Sequence, residues 1–157
     1  FTEIKPRLIM HVRHLAWLAS CPVDVTKEKT KDKRNRFQRL QQDKPEAPEL
    51  ELPELDGAEY LVNLLHEAGP VGSNGYGVEG LKWSEIHSWI AATGLFLSPW
   101  EILIIKELSD VYASEYNKTN GKECLCPSIP KVVDKQTLND KFAAIFGGMY
   151  EQQMNRK

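Results

Sequence analysis

The side chains with the clearest potential for metal chemistry are Cys124 and Cys126, which are separated by one residue. A structural zinc site usually has four protein ligands, with about two to four residues between paired cysteines. The third cysteine, Cys21, is distant in sequence, and the histidines are scattered over three predicted elements. The four histidines are His11, His14, His66 and His87. We therefore expect reduced thiols, no metal site and no cofactor.

Acid/base catalysis has little support in the sequence. Glu85 and His87 are two residues apart on a predicted helix, so their side chains point in different directions. The side chains of the adjacent residues His66 and Glu67 also point in different directions on a predicted helix. Three serines fit helical or capping positions outside any nucleophile-elbow motif: Ser84, Ser98 and Ser109. We predict that the protein is not an enzyme.

A glycine-rich segment, residues 69–80, raises the possibility of phosphate binding because it holds five glycines and one proline. A P-loop requires Gly-Lys-Ser/Thr at the start of a helix, and the dinucleotide fingerprint requires a preceding strand. The sequence meets neither requirement. We interpret the segment as a loop that needs unusual backbone angles.

Residues 82–101 predict a helical hairpin. Gly94 is placed to end the first helix in the left-handed conformation. Ser98 can cap the second helix, Pro99 suits its first position, and Glu101 completes a capping box. We expect this second helix to run from Pro99 to about Asn117 and to pack against the first, because each exposes an apolar stripe.

The sequence before the hairpin divides by composition. Residues 6–20 predict an apolar helix within an N-terminal unit, 1–26, and its broad apolar surface suggests burial on more than one side. Residues 27–44 hold eight basic and three acidic side chains, whereas residues 46–59 hold six acidic and no basic ones. We expect residues 27–56 to form a charged linker or hinge that is a candidate for mobility.

The third predicted unit, residues 57–157, is a helical core module. It contains a helix over residues 58–68, the hairpin, and a C-terminal helix that Asp134 begins. No segment alternates apolar and polar residues over the length of a strand. The predicted fold is therefore mostly α, a small helical domain built on the hairpin.

Composition limits the classes of partner. The chain has 157 residues and a formal net charge of −2, which argues against general attraction to nucleic acid or to membrane surfaces. No apolar run approaches the roughly 18 residues that a membrane span requires. The N-terminal apolar stretch also lacks a signal-peptide layout, so we expect a cytoplasmic protein.

The hairpin also has the outline of a helix-turn-helix, which makes a regulatory DNA-binding protein the alternative function. A recognition helix presents cations and hydrogen-bond donors to phosphates and bases. The second helix instead carries one cation, Lys106, and four carboxylates: Glu101, Glu107, Asp110 and Glu115. Phosphates would repel this helix, and we expect no nucleic-acid binding.

Residues 72–116, GSNGYGVEGLKWSEIHSWIAATGLFLSPWEILIIKELSDVYASEY, resemble the tail assembly chaperones of long-tailed bacteriophages. The residues that carry the resemblance after the glycine-rich lead are Trp83-Ser84-Glu85-Ile86, Trp89, Thr93-Gly94, Pro99-Trp100-Glu101, Leu108-Ser109 and Tyr112. Residues 132–146, VVDKQTLNDKFAAIF, look like the short closing helix of these proteins. The resemblance covers about a third of the chain closely.

The resemblance implies a non-catalytic role in the host cytoplasm. Family members bind the helical tape measure protein before the tail tube polymerises around it, and the tube protein and self-association are further candidate interactions. A chaperone for such a partner needs aromatic and aliphatic side chains on a complementary groove. The candidate anchors are Trp17, Trp83, Trp89 and Trp100, although tryptophans at helical spacing are commonly core residues.

Overall fold

The computed structural model describes residues 3–22 and 32–129, and this part of the chain is mostly helical, as predicted. Its five α-helices are α1 (Ile4–Ala19), α2 (Arg36–Asp43), α3 (Glu59–Ala68), α4 (Trp83–Thr93) and α5 (Pro99–Thr119). A 3₁₀ turn spans Pro48–Leu50, and the two short antiparallel strands are β1 (Gly72–Ser73) and β2 (Val78–Glu79). The predicted helix from Asp134 lies outside the described residues.

Local capping determines the ends of the two hairpin helices. Gly94 follows α4 with a φ of +67°, and its N–H donates to the carbonyl of Ile90. At the start of α5, the hydroxyl of Ser98 accepts from the N–H of Glu101 at 3.3 Å. The Glu101 carboxylate accepts from the Ser98 N–H at 2.7 Å in return. The predicted glycine stop and capping box are both confirmed.

The main core forms where α5 packs against α1 and α3, and α4 has a smaller share of it. Its fully buried side chains include Leu8, Val12, Leu61, Leu65, Ile105 and Leu108. In α4 only Ile86 is buried, while Trp89 is partly buried against the same core. The hairpin helices therefore have the predicted bounds, but α5 finds its principal partner in α1, because α1 offers the broader apolar surface.

Residues 32–56, which belong to the charged linker or hinge expected over residues 27–56, pack against α1. Asn35 caps α2, and Leu55 is 1% exposed in the main core. The ring of His11 donates from Nδ1 to the carbonyl of Pro53 at 2.6 Å, and Arg7 pairs with Asp56. Charge and proline predicted a mobile segment, but scattered leucines and backbone carbonyls bind it to α1. Residues 27–31 of the basic block lie outside the described residues.

The glycine-rich segment forms a β-hairpin that lies along α5. The amide of Asn117 bonds both backbone groups of Val78, accepting from its N–H at 3.3 Å and donating to its carbonyl at 2.7 Å. A Cβ on Gly80 would meet Asp110 Oδ1 at 2.0 Å, so glycine permits this close approach. Gly75, with a φ of +85°, supplies the unusual backbone angle that we predicted for the loop.

Candidate functional site

The four candidate tryptophans have different environments, and Trp17 is a core residue. It is 6% exposed, and its Nε1–H donates to the carbonyl of Cys124 at 3.0 Å. It packs with Leu18 and Cys126 in a second, smaller core. The expectation that Trp17 faces a partner therefore does not hold in this structure, because segments distant in sequence cover it.

Trp89 has an intermediate position. Its ring packs against the main core and is only partly buried. Its indole Nε1 is nevertheless buried and has no hydrogen-bond partner among the described residues. An unpaired buried donor costs free energy that packing must offset. Trp89 thus contributes mainly to the packing of α4 against the main core.

Trp83, the first residue of α4, and Trp100, near the start of α5, lie together on the surface. Trp83 is 53% exposed, Leu103 is 59% exposed, and Trp100 is partly buried against the core. All three line a groove of about 420 Å³ whose floor includes the buried Ile104. We call the side chains of Trp83, Trp100 and Leu103 the Trp83 surface. It is the arrangement that best fits an apolar partner.

The charges around the Trp83 surface are neutralised within the protein. Lys106 Nζ lies 2.6 Å from Asp110 Oδ1, four residues along α5. Lys5 of α1 pairs with Glu107 at 2.9 Å. Both pairs border the same groove. A partner at this surface therefore contacts apolar side chains that are flanked by ion pairs. These pairs favour neither a positively nor a negatively charged partner.

Leu103 and Phe96 are two of the exposed apolar side chains that were not among the sequence-based candidates. Leu103 belongs to the Trp83 surface, and Phe96 is fully exposed in the turn before α5. The sequence carried a signal for Leu103. Residues 102–105 are four consecutive aliphatic residues, which together span all faces of a helix, so one of them must point away from the core. No comparable local signal distinguishes Phe96 from a buried turn residue.

Residues with potential for chemistry remain dispersed in the described part of the chain. Cys126 is buried and Cys124 is partly buried, and both are free thiols. Within residues 3–22 and 32–129, no group of three or more histidine, cysteine, aspartate or glutamate side chains is arranged to hold a metal ion. Glu85 accepts a hydrogen bond from the Lys82 N–H at 2.6 Å as a helix cap. His87 is exposed nearby.

The geometry of α5 is unlike that of a recognition helix. Ile105 and Leu108, near its middle, are fully buried between α1 and α3. Its carboxylate Glu115 is 6% exposed and accepts from Arg13 Nε at 2.9 Å. A recognition helix must project from the domain to enter the major groove. The packing of α5 leaves only one of its faces accessible.

Comparison of the chain with models of protein families, with curated proteins and with solved structures gives no match in any of the three. None of the helices in the described part of the chain combines the length and hydropathy that a membrane span requires. The arguments for function therefore come from the resemblance carried by residues 72–116 and from the geometry of the Trp83 surface.

Proposed function

We propose that this protein is a tail assembly chaperone of a long-tailed bacteriophage. In this role it binds the tape measure protein in the host cytoplasm, keeps it soluble and assists assembly of the tail tube, without catalysis. The tail tube protein is a second candidate partner. The observation that carries the proposal is the Trp83 surface, because large apolar side chains cluster there and two of them, Trp83 and Leu103, are more than half exposed.

The position of the Trp83 surface supports the link to the resemblance. Trp83 and Trp100 are both among the residues that carry the resemblance, and both line the same groove. A tape measure protein presents long apolar helical stripes before the tube encloses it. Aromatic side chains in a groove are suited to cover such stripes, since they bury a large apolar area with little loss of conformational entropy.

The helix-turn-helix alternative receives less support from the same observations. The helix that would read DNA is α5, whose inner face is buried against α1 and α3. Its accessible carboxylates, including Glu107 and Asp110, would meet a phosphate backbone. We expect the purified protein not to shift duplex DNA at moderate salt.

Co-expression with the tape measure protein of the same phage tests the proposal. The wild-type chain should raise the soluble fraction of the tape measure protein and should be recovered with it. Trp83→Ala should weaken this complex by about 2 kcal/mol or more, the loss typical of a buried aromatic anchor. Leu103→Ala should act in the same direction, and fold stability should change little because both side chains are more than half exposed.

Tyr76→Ala is the matched control. Tyr76 is a fully exposed aromatic residue in the loop between β1 and β2, outside the groove that holds the Trp83 surface. This variant should bind like the wild type. Tight, sequence-selective DNA binding with no effect on tape measure solubility would refute the chaperone function.

A further inference from the structure

A chain of hydrogen bonds joins a buried thiol to a buried histidine. Cys126 Sγ lies 3.4 Å from Ser128 Oγ, and Ser128 Oγ lies 2.9 Å from His14 Nδ1. The other ring nitrogen of His14, Nε2, lies 2.7 Å from the carbonyl oxygen of Glu49. Cys126 is 6% exposed, and His14 is fully buried. The thiol, the hydroxyl and the imidazole therefore form one sequence of hydrogen bonds, which we call the Cys126–His14 relay.

The acceptors determine the direction of the Cys126–His14 relay. A carbonyl oxygen can only accept, so Nε2 of His14 carries the ring proton and donates to Glu49. In the neutral ring Nδ1 is then an acceptor, and it receives the hydroxyl proton of Ser128. Since that hydroxyl has a single proton, the Cys126 S–H must donate to Ser128 Oγ. Burial lowers the pKa of His14, which keeps the ring neutral near pH 7 and able to accept a proton.

A second thiol, that of Cys124, lies on the same side of its segment as Cys126. Both side chains pack with Trp17 in the second, smaller core. Leu125, which lies between them in sequence, is 66% exposed. Two residues of extended chain span at most about 7 Å, and the Cα atoms of a disulfide are usually about 4.4–6.8 Å apart. A small bend of the segment therefore brings the two sulfur atoms into bonding range.

We infer that Cys124 and Cys126 form a redox-sensitive thiol pair, which a small disulfide such as oxidised glutathione converts to an intramolecular disulfide. Cys124 is only partly buried, so a reagent from solvent reaches it before the buried Cys126. The Cys124 thiolate attacks one sulfur of the reagent, a mixed disulfide forms, and one glutathione thiolate leaves. Disulfides of reducing compartments are transient and typically sense oxidation. The inference is independent of the proposed function.

The Cys126–His14 relay serves the second step, in which the disulfide closes. The thiol proton of Cys126 passes to Ser128 Oγ while the hydroxyl proton of Ser128 passes to His14 Nδ1, so the ring becomes an imidazolium. The Cys126 sulfur attacks the Cys124 sulfur, an S–S bond forms, and the second glutathione thiolate leaves. Each glutathione thiolate takes a proton from solvent, and His14 releases its extra proton. The net reaction oxidises two protein thiols and reduces one glutathione disulfide to two thiols.

Mass spectrometry of the purified full chain after treatment with oxidised glutathione tests the thiol pair. Trypsin releases both cysteines in one peptide, residues 123–131, and separates them from Cys21. In the wild type this peptide should lose two hydrogen atoms and carry no glutathione at the end of the reaction. Cys126→Ser should instead retain one glutathione on Cys124. Cys21→Ser is the matched control and should form the same disulfide as the wild type.

Ser128→Ala tests the Cys126–His14 relay. Closure of the mixed disulfide at Cys124 should be at least about tenfold slower in this variant, because the assistance of a general base is lost. Ser128→Thr keeps a hydroxyl at the same position and should restore closure, which a variant that only disturbed packing would not do. Urea denaturation shows that each variant is folded before its closure rate is compared with that of the wild type.

Three results would overturn the inference. A wild-type chain that keeps glutathione on Cys124, or whose 123–131 peptide stays unmodified, would exclude Cys126 as the thiol that closes the disulfide. A disulfide that contains Cys21 would assign the partner of Cys124 or Cys126 to another segment. Equal closure rates in Ser128→Ala and the wild type would exclude the relay.

Discussion

The guanidinium carbon of Arg36 lies 5.2 Å from the centroid of the Trp17 ring. Arg36 is 5% exposed, and it donates to the carbonyls of Trp17 at 3.4 Å and Thr119 at 3.1 Å. It also bonds the Lys122 carbonyl and the Ser20 hydroxyl. These acceptors lie at the C-terminal ends of α1 and α5, where helix dipoles are negative. One buried cation thus joins α2 to two other helices.

We predict that Arg36→Met lowers the free energy of unfolding by about 2–4 kcal/mol. The substitution keeps apolar contact with Trp17 but removes the hydrogen bonds of the guanidinium to the Trp17, Thr119 and Lys122 carbonyls. The free energy of unfolding of Arg36→Lys should fall between those of the wild type and Arg36→Met, because an ammonium cannot reach all the acceptors that a guanidinium reaches. Urea denaturation of the full chain measures both values.

Lys44→Met is the control for loss of a positive charge after α2. Lys44 is exposed, and its substitution should change stability by no more than about 0.5 kcal/mol. Equal effects of Arg36→Met and Lys44→Met would contradict the role assigned to the buried guanidinium.

We predict that stability falls as the pH decreases below 6.5, and that His14 is one cause. His14 is fully buried; its Nε2–H donates to the Glu49 carbonyl at 2.7 Å, and Nδ1 lies 2.9 Å from Ser128 Oγ. Burial lowers the pKa of His14 from its ordinary value of 6.5, partly opposed by the bond to Glu49. The unfolded chain therefore binds more protons just below pH 6.5, and acid favours unfolding.

Chemical denaturation at several pH values between about 5 and 7.5 measures this dependence. His14→Gln removes the titrating group, so the part of the slope that belongs to His14 should disappear even if the variant is less stable at every pH. His87→Gln changes an exposed histidine and should retain the wild-type slope. A slope that is identical in all three proteins would exclude His14 as its source.

We predict that Gly80→Ala destabilises the protein by about 1–3 kcal/mol, as overpacking usually does. The added Cβ would lie 2.0 Å from Asp110 Oδ1 and 3.0 Å from the Asp110 Cα, so the β-hairpin must move away from α5. Gly72→Ala is the paired control, because its Cβ would meet Glu85 Oε1 at an ordinary 3.6 Å. Thermal unfolding of both variants tests the difference, and equal midpoints would argue against close contact at Gly80.

We predict that Ser98→Ala or Glu101→Ala lowers stability by about 0.5–2 kcal/mol through loss of the α5 cap. Each substitution removes one of the two reciprocal hydrogen bonds between these residues. Ser114→Ala, on the exposed face of the same helix, should be neutral or slightly stabilising because alanine favours helix formation. Denaturation midpoints that match the wild type for both cap variants would show that the cap contributes little.

Helix positions followed from the sequence because their causes are local. The Ser98–Glu101 capping box and the left-handed Gly94 involve residues within a few positions of each other, and the structure has both. The positions of α1, α3 and α5 follow from apolar repeats of helical period in the same way. The placement of residues 32–56 depends instead on distant contacts. Their composition predicts a charged linker, and contacts with α1, with the main core and with the C-terminal end of α5 hold them in place.

The sequence by itself determined the mostly helical class, the caps and the periodic faces, since each depends on neighbours along the chain. Only the tertiary structure decided which tryptophans are exposed. Trp17 and Trp83 both lie on apolar helices, yet Trp17 is covered by residues near Arg36 and Cys124, whereas Trp83 has no covering segment among the described residues. Burial depends on segments that are distant in sequence and meet only in the folded chain, so no local pattern separates an anchor from a core residue.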